Sequence, residues 1–407
     1  MKIRSITYFC NPKYPLDETV LQEAGQFLSE AKSAYEAAGY QVQTTRLATV
    51  PYPHLLNETK ISSLPTLVEE LASAIQQAGI AYASLGPALP EMPRSYEILP
   101  EAIAVSRNIF FGGVMAGRER GVDLSAIRAC AEVIVRCAAI EPNGFANLQL
   151  AALANVKAGA PFFPAAYHDR DEPAFAIATE SADLAIQAFE NARTLDDGRR
   201  DLISEVTKHG QAISRVAQSL LTKYQLLRFS GIDFSLAPFP DDSHSLGSAV
   251  ERMGVPKIGL HGSLAAAAML TEAIDRADFP HTGFSGFMQP ILEDSILAKR
   301  AAEGHLTVKD ALLYSAVCGT GLDTIPLPGN TTAEQITPLL LDLCALALRL
   351  DKPLTARLMP IPDKKAGDDT NFDFAFFAPS RVMSLDSEPL THFFSSPEAF
   401  HLSSRNK

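Results

Sequence analysis

The stretch that decides the fold class is "KIRSITYFCNPKYPLDETVLQEAGQFLSEAKSAYEAAGYQVQTTRLA", residues 2–48. Its first eight residues alternate and favour a strand, and residues 17–40 then have the apolar spacing of a helix. Acidic residues begin that helix and Gly39 is its stop signal, after which residues 40–48 again read as a strand. A strand, a helix and a second strand in succession are the unit of a parallel sheet.

The same alternation continues along most of the chain. Residues 65–80 and 125–140 have helical spacing, and 81–88 and 107–115 resemble strands. Residues 196–227 read as one long helix, after which strands and helices alternate again. We therefore expect an α/β fold with a mostly parallel sheet. Without a clear linker or repeat, residues 1–407 are predicted to form a single domain, whose periodicity is weak after about residue 379.

The composition narrows the class of protein. Apolar residues make up 47% and charged residues 20% of 407, as in ordinary globular proteins, and a net charge of -12 argues against nucleic-acid binding. Five scattered cysteines without a CxxC pair predict neither a disulfide scaffold nor a zinc site, and favour a reducing cytoplasm. The apolar run 336–350 is too short to span a bilayer, and the first ten residues are too polar for a signal peptide. Neither a membrane nor a nucleic acid is expected as a partner, and a homo-oligomer is left open.

Polar turns after strands are the candidate sites, because pockets of parallel α/β sheets form at strand ends. In "GIDFSLAPFPDDSHS" (231–245), Asp233 lies on a strand and is a candidate catalytic acid or base. Asp241, Asp242 and His244 follow in the loop and are weak candidates for metal ligands. The alternative is a solvated loop whose Asp and Ser side chains cap the next helix.

"IGLHGSLAAAAML" (258–270) is a candidate anion site. His261 is predicted to end a strand, and Ser263 to begin a helix whose free N–H groups would face an anion. The alternative is a structural histidine at a strand end.

Three further segments supply charged groups. Glu293 and Asp294 open a helix, either as acid–base or substrate-binding groups or only as caps. His168 follows a proline-rich frame. Arg357 lies inside an apolar strand, where it needs an anionic partner from the protein or a ligand.

"SAVCGTGLDTIPLPG" (315–329) contains the candidate nucleophile Cys318 and, five residues later, Asp323. A thiol at the carboxyl end of a helix gains no activation from the helix dipole, so His261 or Arg357 would have to lower its pKa. On this hypothesis Cys318 lines the main pocket. The alternative is a small core residue beside a tight turn.

Five long motifs together resemble the family of unknown function 711, also called UPF0210-like proteins, from residue 2 to about 378. They are "GFANLQLAALANVKAGAPFFPAAYH", "GIDFSLAPFP", "GLHGSLAAA", "SAVCGTGLDTIPLPG" and "KPLTARLMPIPDKKAGD". The resemblance implies a fold related to the pyruvate formate-lyase-like glycyl-radical enzymes. That fold is a ten-stranded α/β barrel of two half-barrels with a cysteine-bearing finger at its centre. The string "RVMSL" (381–385) has Ser384 where those enzymes have the radical glycine, so no glycyl radical is expected.

The sequence therefore predicts an uncharacterised, non-radical enzyme acting by acid–base or thiol chemistry on a small polar or anionic metabolite. A lyase, isomerase or hydrolase is the expected class, and its cofactor, if any, is not predicted. The catalytic candidates are Cys318, His261, Asp323 and Asp233, and the substrate-binding candidates are Arg357, Ser263, Glu293, Asp294 and His168. Two alternatives remain: a metabolite-binding regulatory protein without catalysis, and a metal-dependent hydrolase.

Overall fold

The computed structural model describes residues 1–405, which form a mixed α/β structure. Each strand whose sequence alternates, such as the first, has one face against the helices. The eleven strands within the described residues are β1 (Lys2–Cys10), β2 (Val42–Thr49), β3 (Tyr82–Ala88), β4 (Ile109–Gly117), β5 (Gly121–Asp123), β6 (Leu150–Ala154), β7 (Ala174–Glu180), β8 (Arg228–Asp233), β9 (Gly321–Pro328), β10 (Leu354–Ile361) and β11 (Ala399–Phe400).

Several helices begin at a capping side chain, as at Asp17, Asp123 and Thr307. The α-helices of residues 1–405 are α1 (Glu18–Ala37), α2 (Tyr52–Lys60), α3 (Leu64–Gln77), α4 (Arg94–Glu97), α5 (Leu99–Val105), α6 (Leu124–Ala138), α7 (Ala182–Glu190), α8 (Leu195–Lys223), α9 (Leu246–Arg252), α10 (Ser263–Asp275), α11 (Ser295–Ala302), α12 (Val308–Tyr314) and α13 (Ala333–Arg349). The long helix predicted over 196–227 is α8.

The main strands form two sets that run in opposite directions, a first set of five parallel strands in the centre and a second set made of one parallel pair at each end. Its order is β8-β7-β1-β2-β3-β4-β6-β10-β9, with the short β5 and β11 as a side branch from β4. β1, β2, β3, β4 and β6 are parallel to one another. β7 is parallel to β8 and β10 to β9, but β1 is antiparallel to β7 and β6 to β10. The amino ends of the first set therefore lie at the same edge as the carboxyl ends of the second.

The regular hydrogen-bonded sheet does not close into the ten-stranded barrel that the resemblance implies, because β8 and β9 are its free ends. Residues 281–290 lie beside both ends through isolated parallel bridges, at Ile232–His281, Ser235–Gly286 and Pro290–Asp323. Pro290 lacks a backbone donor, and Gly286 has φ of 145°. A segment of this kind cannot form a continuous ladder.

The core lies mainly between the sheet and the surrounding helices, with smaller apolar clusters on the inner face of the sheet. The loop of residues 156–168 packs against that inner face, where Thr7 Oγ1 donates to Pro161 O and Ser84 Oγ donates to Ala166 O. The tail returns to the first half of the chain, because β11 pairs with β5. Within residues 1–405, no helix has the length and apolar character needed to cross a bilayer.

Candidate functional site

A cavity of about 330 Å³ lies on the inner face of the sheet and is the best candidate site. It lies at the amino ends of β3 and β4, since Tyr82 begins β3 and Phe110 is the second residue of β4. Pockets were expected at the carboxyl ends of strands. At this edge of the sheet, the strands that end are those of the second set. The lining residues are Arg4, Gln43, Thr44, Arg46, Tyr82, Arg107, Phe110, Phe145, Leu148, Phe162, Phe163, Met288, Glu293, Arg357, Phe374 and Phe376.

Arg357 and Arg4 are both paired with buried carboxylates at this cavity. Glu293 accepts from Arg357 Nη2 at 2.7 Å and from Arg4 Nη2 at 2.5 Å, and Asp323 accepts from Arg357 Nε at 2.5 Å. Glu180 lies 3.5 Å from Arg4 Nη1. The prediction that Arg357 needs an anionic partner is confirmed, and the partners are Asp323 and Glu293.

The two carboxylates of this cluster have opposite pKa shifts. Burial raises the pKa of Glu293, but the charges of Arg357 and Arg4 outweigh it, so its pKa lies below the usual value. For Asp323, burial together with the charge of Glu293 outweighs Arg357, so its pKa lies above the usual value. Asp323 is therefore a stronger base than an ordinary aspartate, and Glu293 a weaker base than an ordinary glutamate.

Arg46 differs from its neighbours because it has no ion pair with any carboxylate in residues 1–405. Its Nε donates to Thr44 Oγ1 at 2.9 Å, and its Cζ lies 5.0 Å from the ring centre of Phe163 and 5.9 Å from that of Tyr82. Burial, aided by the charge of Arg4, lowers the pKa of Arg46 to about 9. A cation in this setting is stabilised by an anion brought from outside.

An aromatic segment covers the cavity. Residues 371–377, "NFDFAFF", have no regular secondary structure, and Phe374 and Phe376 reach the cavity wall. Phe374 packs on Phe145 with ring centres 5.0 Å apart, and Phe376 on Phe239 at 5.6 Å. Phe376 is 40% exposed, so this cover also forms part of the surface.

Asp233 and Asp294 are not among the residues that line the cavity, and both are held by hydrogen bonds within the protein. Asp233 accepts from Ser235 Oγ and from the backbone N–H groups of Phe284 and Ser285. Asp294 caps α11 and also accepts from the first N–H groups of α9. The capping alternative accounts for the position of Asp294.

The predicted anion site at His261 and Ser263 has a different geometry from the one expected. His261 is exposed and does not end a strand, because residues 258–260 form only an isolated bridge. Gly262, with φ of 106°, turns the chain before α10. Ser263 is buried, and its Oγ donates to Leu260 O and accepts from Gly259 N–H, so it fixes the turn.

His168 is the last residue of the loop 156–168, is buried, and hydrogen-bonds to a residue close by in the chain. Its Nε2 lies 3.1 Å from Glu172 O, and its backbone N–H donates to Thr49 O. Burial lowers its pKa, so the ring stays neutral at pH 7. It connects the loop to β2.

Cys318 lies in the main apolar core and not among the lining residues of the cavity, so the hypothesis that it lines the main pocket is wrong. It is 1% exposed, and its Sγ accepts from Gly321 N–H at 3.3 Å. The loop that occupies the inner face, residues 156–168, contains no cysteine. The cysteine-bearing finger implied by the resemblance is therefore not present at that position.

Asp241, Asp242 and His244 do not form a metal-binding group. Asp241 accepts from His244 Nδ1 at 2.9 Å and caps a short 3-10 helix, while Asp242 accepts from Ser295 Oγ. Throughout residues 1–405, no three His, Cys, Asp or Glu side chains are arranged to hold a metal ion.

Arg4, Arg46 and the aromatic cover were not predicted from the sequence. Both arginines stand in alternating strands, where a charged residue ordinarily faces solvent. The phenylalanines of 371–377 follow "KPLTARLMPIPDKKAGD" within a stretch without periodicity. Four phenylalanines within seven residues could have indicated that this segment packs on an apolar surface.

Comparison with known proteins gives a consistent result. The family model described as "Uncharacterised ACR (DUF711)" matches residues 1–380. A UPF0210 protein of Pyrobaculum aerophilum is 29% identical over 406 residues, covering 90% of this chain and 87% of that protein. A UPF0210 protein of Pyrobaculum islandicum is 30% identical over 350 residues, covering 81% and 76%. One of Oenococcus oeni is 26% identical over 369 residues, covering 87% and 81%.

Proposed function

The chain belongs to the DUF711 family, and from that premise we propose that it binds a small anionic metabolite in the cavity beside Arg46 and acts on it by acid–base chemistry. The observation that supports this most is the missing partner of Arg46. Arg4 and Arg357, at the same cavity, are both paired with carboxylates. The outer N–H groups of Arg46 have no hydrogen-bond acceptor within residues 1–405 and are available to an anion.

The size and lining of the cavity suit a small metabolite. Its volume of about 330 Å³ is near the lower end of the roughly 300–1,000 Å³ typical of small-molecule sites. Nine of its sixteen lining residues are aromatic or aliphatic, and five are charged. Such a lining buries the body of a ligand and orients its polar end.

The acid–base groups in this proposal are Asp323 and Glu293. Arg357 donates hydrogen bonds to both carboxylates. A proton gained by Asp323 therefore changes the net charge of these three side chains, of which Glu293 lines the cavity. Because its pKa is raised, Asp323 takes up a proton more readily than an ordinary aspartate, and Arg357 links it to Glu293 at the cavity. Cys318 has no part in this proposal, because its thiol packs in the core.

We further infer that residues 281–290 close the sheet into a ten-stranded barrel around the cavity. β1 and β10 are five steps apart along the sheet, or about 24 Å if it were flat. Yet Arg4 of β1 and Arg357 of β10 bind the same carboxylate. A sheet that curves this far, with a segment bridged to both of its ends, supports closure.

The proposal is tested by the small molecules that accompany the purified protein. Native protein, Arg46→Met and the surface control Arg276→Met are denatured, and the released molecules are identified by mass spectrometry. Arg276 is 56% exposed and pairs with Glu272, away from the cavity. We expect one small anion in the native and control proteins and its loss from Arg46→Met. Equal content in all three, together with no thermal stabilisation of the native protein by a panel of carboxylates and phosphates, would contradict the proposal.

A regulatory protein that binds the metabolite without converting it is the second candidate. The observation in its favour is that Asp323 and Glu293 are both already paired with Arg357, so no carboxylate of the cluster is unpaired. Incubation of the identified anion with the protein distinguishes the two. Conversion that is lost in Asp323→Asn favours the enzyme, and binding without conversion favours the regulator.

A further inference from the structure

The charges around the cavity limit the charge of its ligand. Lys2, Arg4 and Arg357 face three carboxylates, those of Glu180, Glu293 and Asp323, in one connected set of ion pairs. Arg46 adds one further cation without a carboxylate partner in residues 1–405. At the rim, Arg107 pairs with Glu141. The site therefore has one positive charge in excess, which one negative charge neutralises.

The neighbouring carboxylate opposes a second negative charge on the ligand. Glu293 lines the same cavity, and its charge is close enough to act on the pKa of Arg46. Its two oxygens are already engaged by Arg4 and Arg357. A dianion such as a phosphate monoester would add a charge that no cation balances, in a poorly hydrated site where repulsion is strong.

The walls around Arg46 favour a flat apolar body. Arg46 lies near the ring faces of Phe163 and Tyr82. Phe110 packs against both rings, perpendicular to Tyr82 with ring centres 5.6 Å apart and tilted by 59° to Phe163 at 5.4 Å. Phe374 belongs to the cover on the same cavity. A flat ring on the ligand can add to these rings in the same edge or tilted contact, which aromatic pairs prefer.

We propose, on the basis of the anion-binding function above, that the ligand is a monocarboxylate with a flat apolar body. Its carboxylate meets the two outer N–H groups of Arg46 in the bidentate geometry that guanidinium and carboxylate share. Its body lies along Phe110 and Phe163 beneath Phe374. Sugar phosphates and nucleotides do not fit this site, because they carry a second negative charge and a polar surface.

The test compares three probes with the same ring and different end groups. These are 3-phenylpropionate, phenyl phosphate and 3-phenylpropanol, titrated at pH 8, where the phosphate ester is a dianion. Dissociation constants are measured by calorimetry for native protein, Arg46→Met and Arg276→Met. We expect 3-phenylpropionate to bind most tightly to the native protein. Arg46→Met should weaken it roughly ten- to a hundredfold, as expected for the loss of a charged hydrogen-bonding partner, while Arg276→Met leaves it unchanged.

The other results separate this inference from the function on which it rests. Tighter binding of phenyl phosphate, lost in Arg46→Met, would overturn the monocarboxylate class and leave the anion-binding function standing. Failure of all three probes to bind the native protein would also overturn the class, while the released metabolite still decides the function. Binding of both anions that Arg46→Met does not weaken would overturn both.

Discussion

Arg46 and Arg357 share one cavity, yet their replacement should have different effects on stability. Arg357→Met leaves Glu293 and Asp323 buried beside one lost partner, which should lower the free energy of unfolding by about 3–5 kcal/mol. Arg46→Met removes a half-buried cation without a carboxylate partner and should change it by less than about 1 kcal/mol. Urea unfolding of both variants measures this. Equal destabilisation by the two would contradict the assignment of Arg46 as the unpaired cation.

Asp233 should make stability depend on pH. Burial raises its pKa to about 6, against hydrogen bonds from Phe284, Ser235 and Ser285 that lower it. Because the unfolded chain binds this proton only near pH 4, the contribution of Asp233 to stability is largest at low pH and is lost as pH rises through 6. The difference in unfolding free energy between native protein and Asp233→Asn should thus fall by about 2 kcal/mol from pH 4 to pH 8. A difference that stays constant or grows with pH would refute this.

Prediction at the level of single residues succeeded for a charged side chain in an apolar strand. Arg357 in the apolar strand "PLTARLMPIP" required an anion, and Asp323 and Glu293 supply it. It failed for His261, whose flanking residues suggested a strand end that does not form. Arg46 could not be predicted from alternation, because a strand facing water and one facing a cavity have the same pattern.

At the scale of the elements, α1 packs closely against the end of α3 through Gly25. A Cβ at this position would lie 2.3 Å from Ala78 O, a backbone atom. Gly25→Ala should destabilise the protein by about 1–3 kcal/mol through overpacking, despite the gain of about 1 kcal/mol in helix propensity. Ser29→Ala, at an exposed position of the same helix, is the control. Thermal unfolding measures both, and a Gly25→Ala protein as stable as the control would show that the two helices separate easily.

Long periodic elements were predicted well, and irregular ones were not. α8 and the cysteine-bearing α6 match their patterns, because many apolar positions specify one face. The segment of residues 281–290, by contrast, makes only isolated bridges. Its pairing depends on β8 and β9, which are distant in sequence, so no local pattern reveals it.

At the scale of the molecule, the two strand sets depend on each other. β1 pairs with β7 and β6 with β10, and β11 returns to β5. Residues 169–172 are the exposed connection between the sets. We expect fragments 1–170 and 171–407 to show no cooperative unfolding when expressed separately, because each would expose sheet edges and an apolar face. Circular dichroism measures this, and two independently folded fragments would contradict a single domain.

The central claim is that Arg46 binds the carboxylate of a ligand within the curved sheet. A crystal structure of the native protein with 3-phenylpropionate tests it most directly. We predict both carboxylate oxygens at about 2.7–2.9 Å from the outer nitrogens of Arg46, with the phenyl ring against Phe110 and Phe163. Density for the probe at another position, with the cavity beside Arg46 free of it, would contradict the claim.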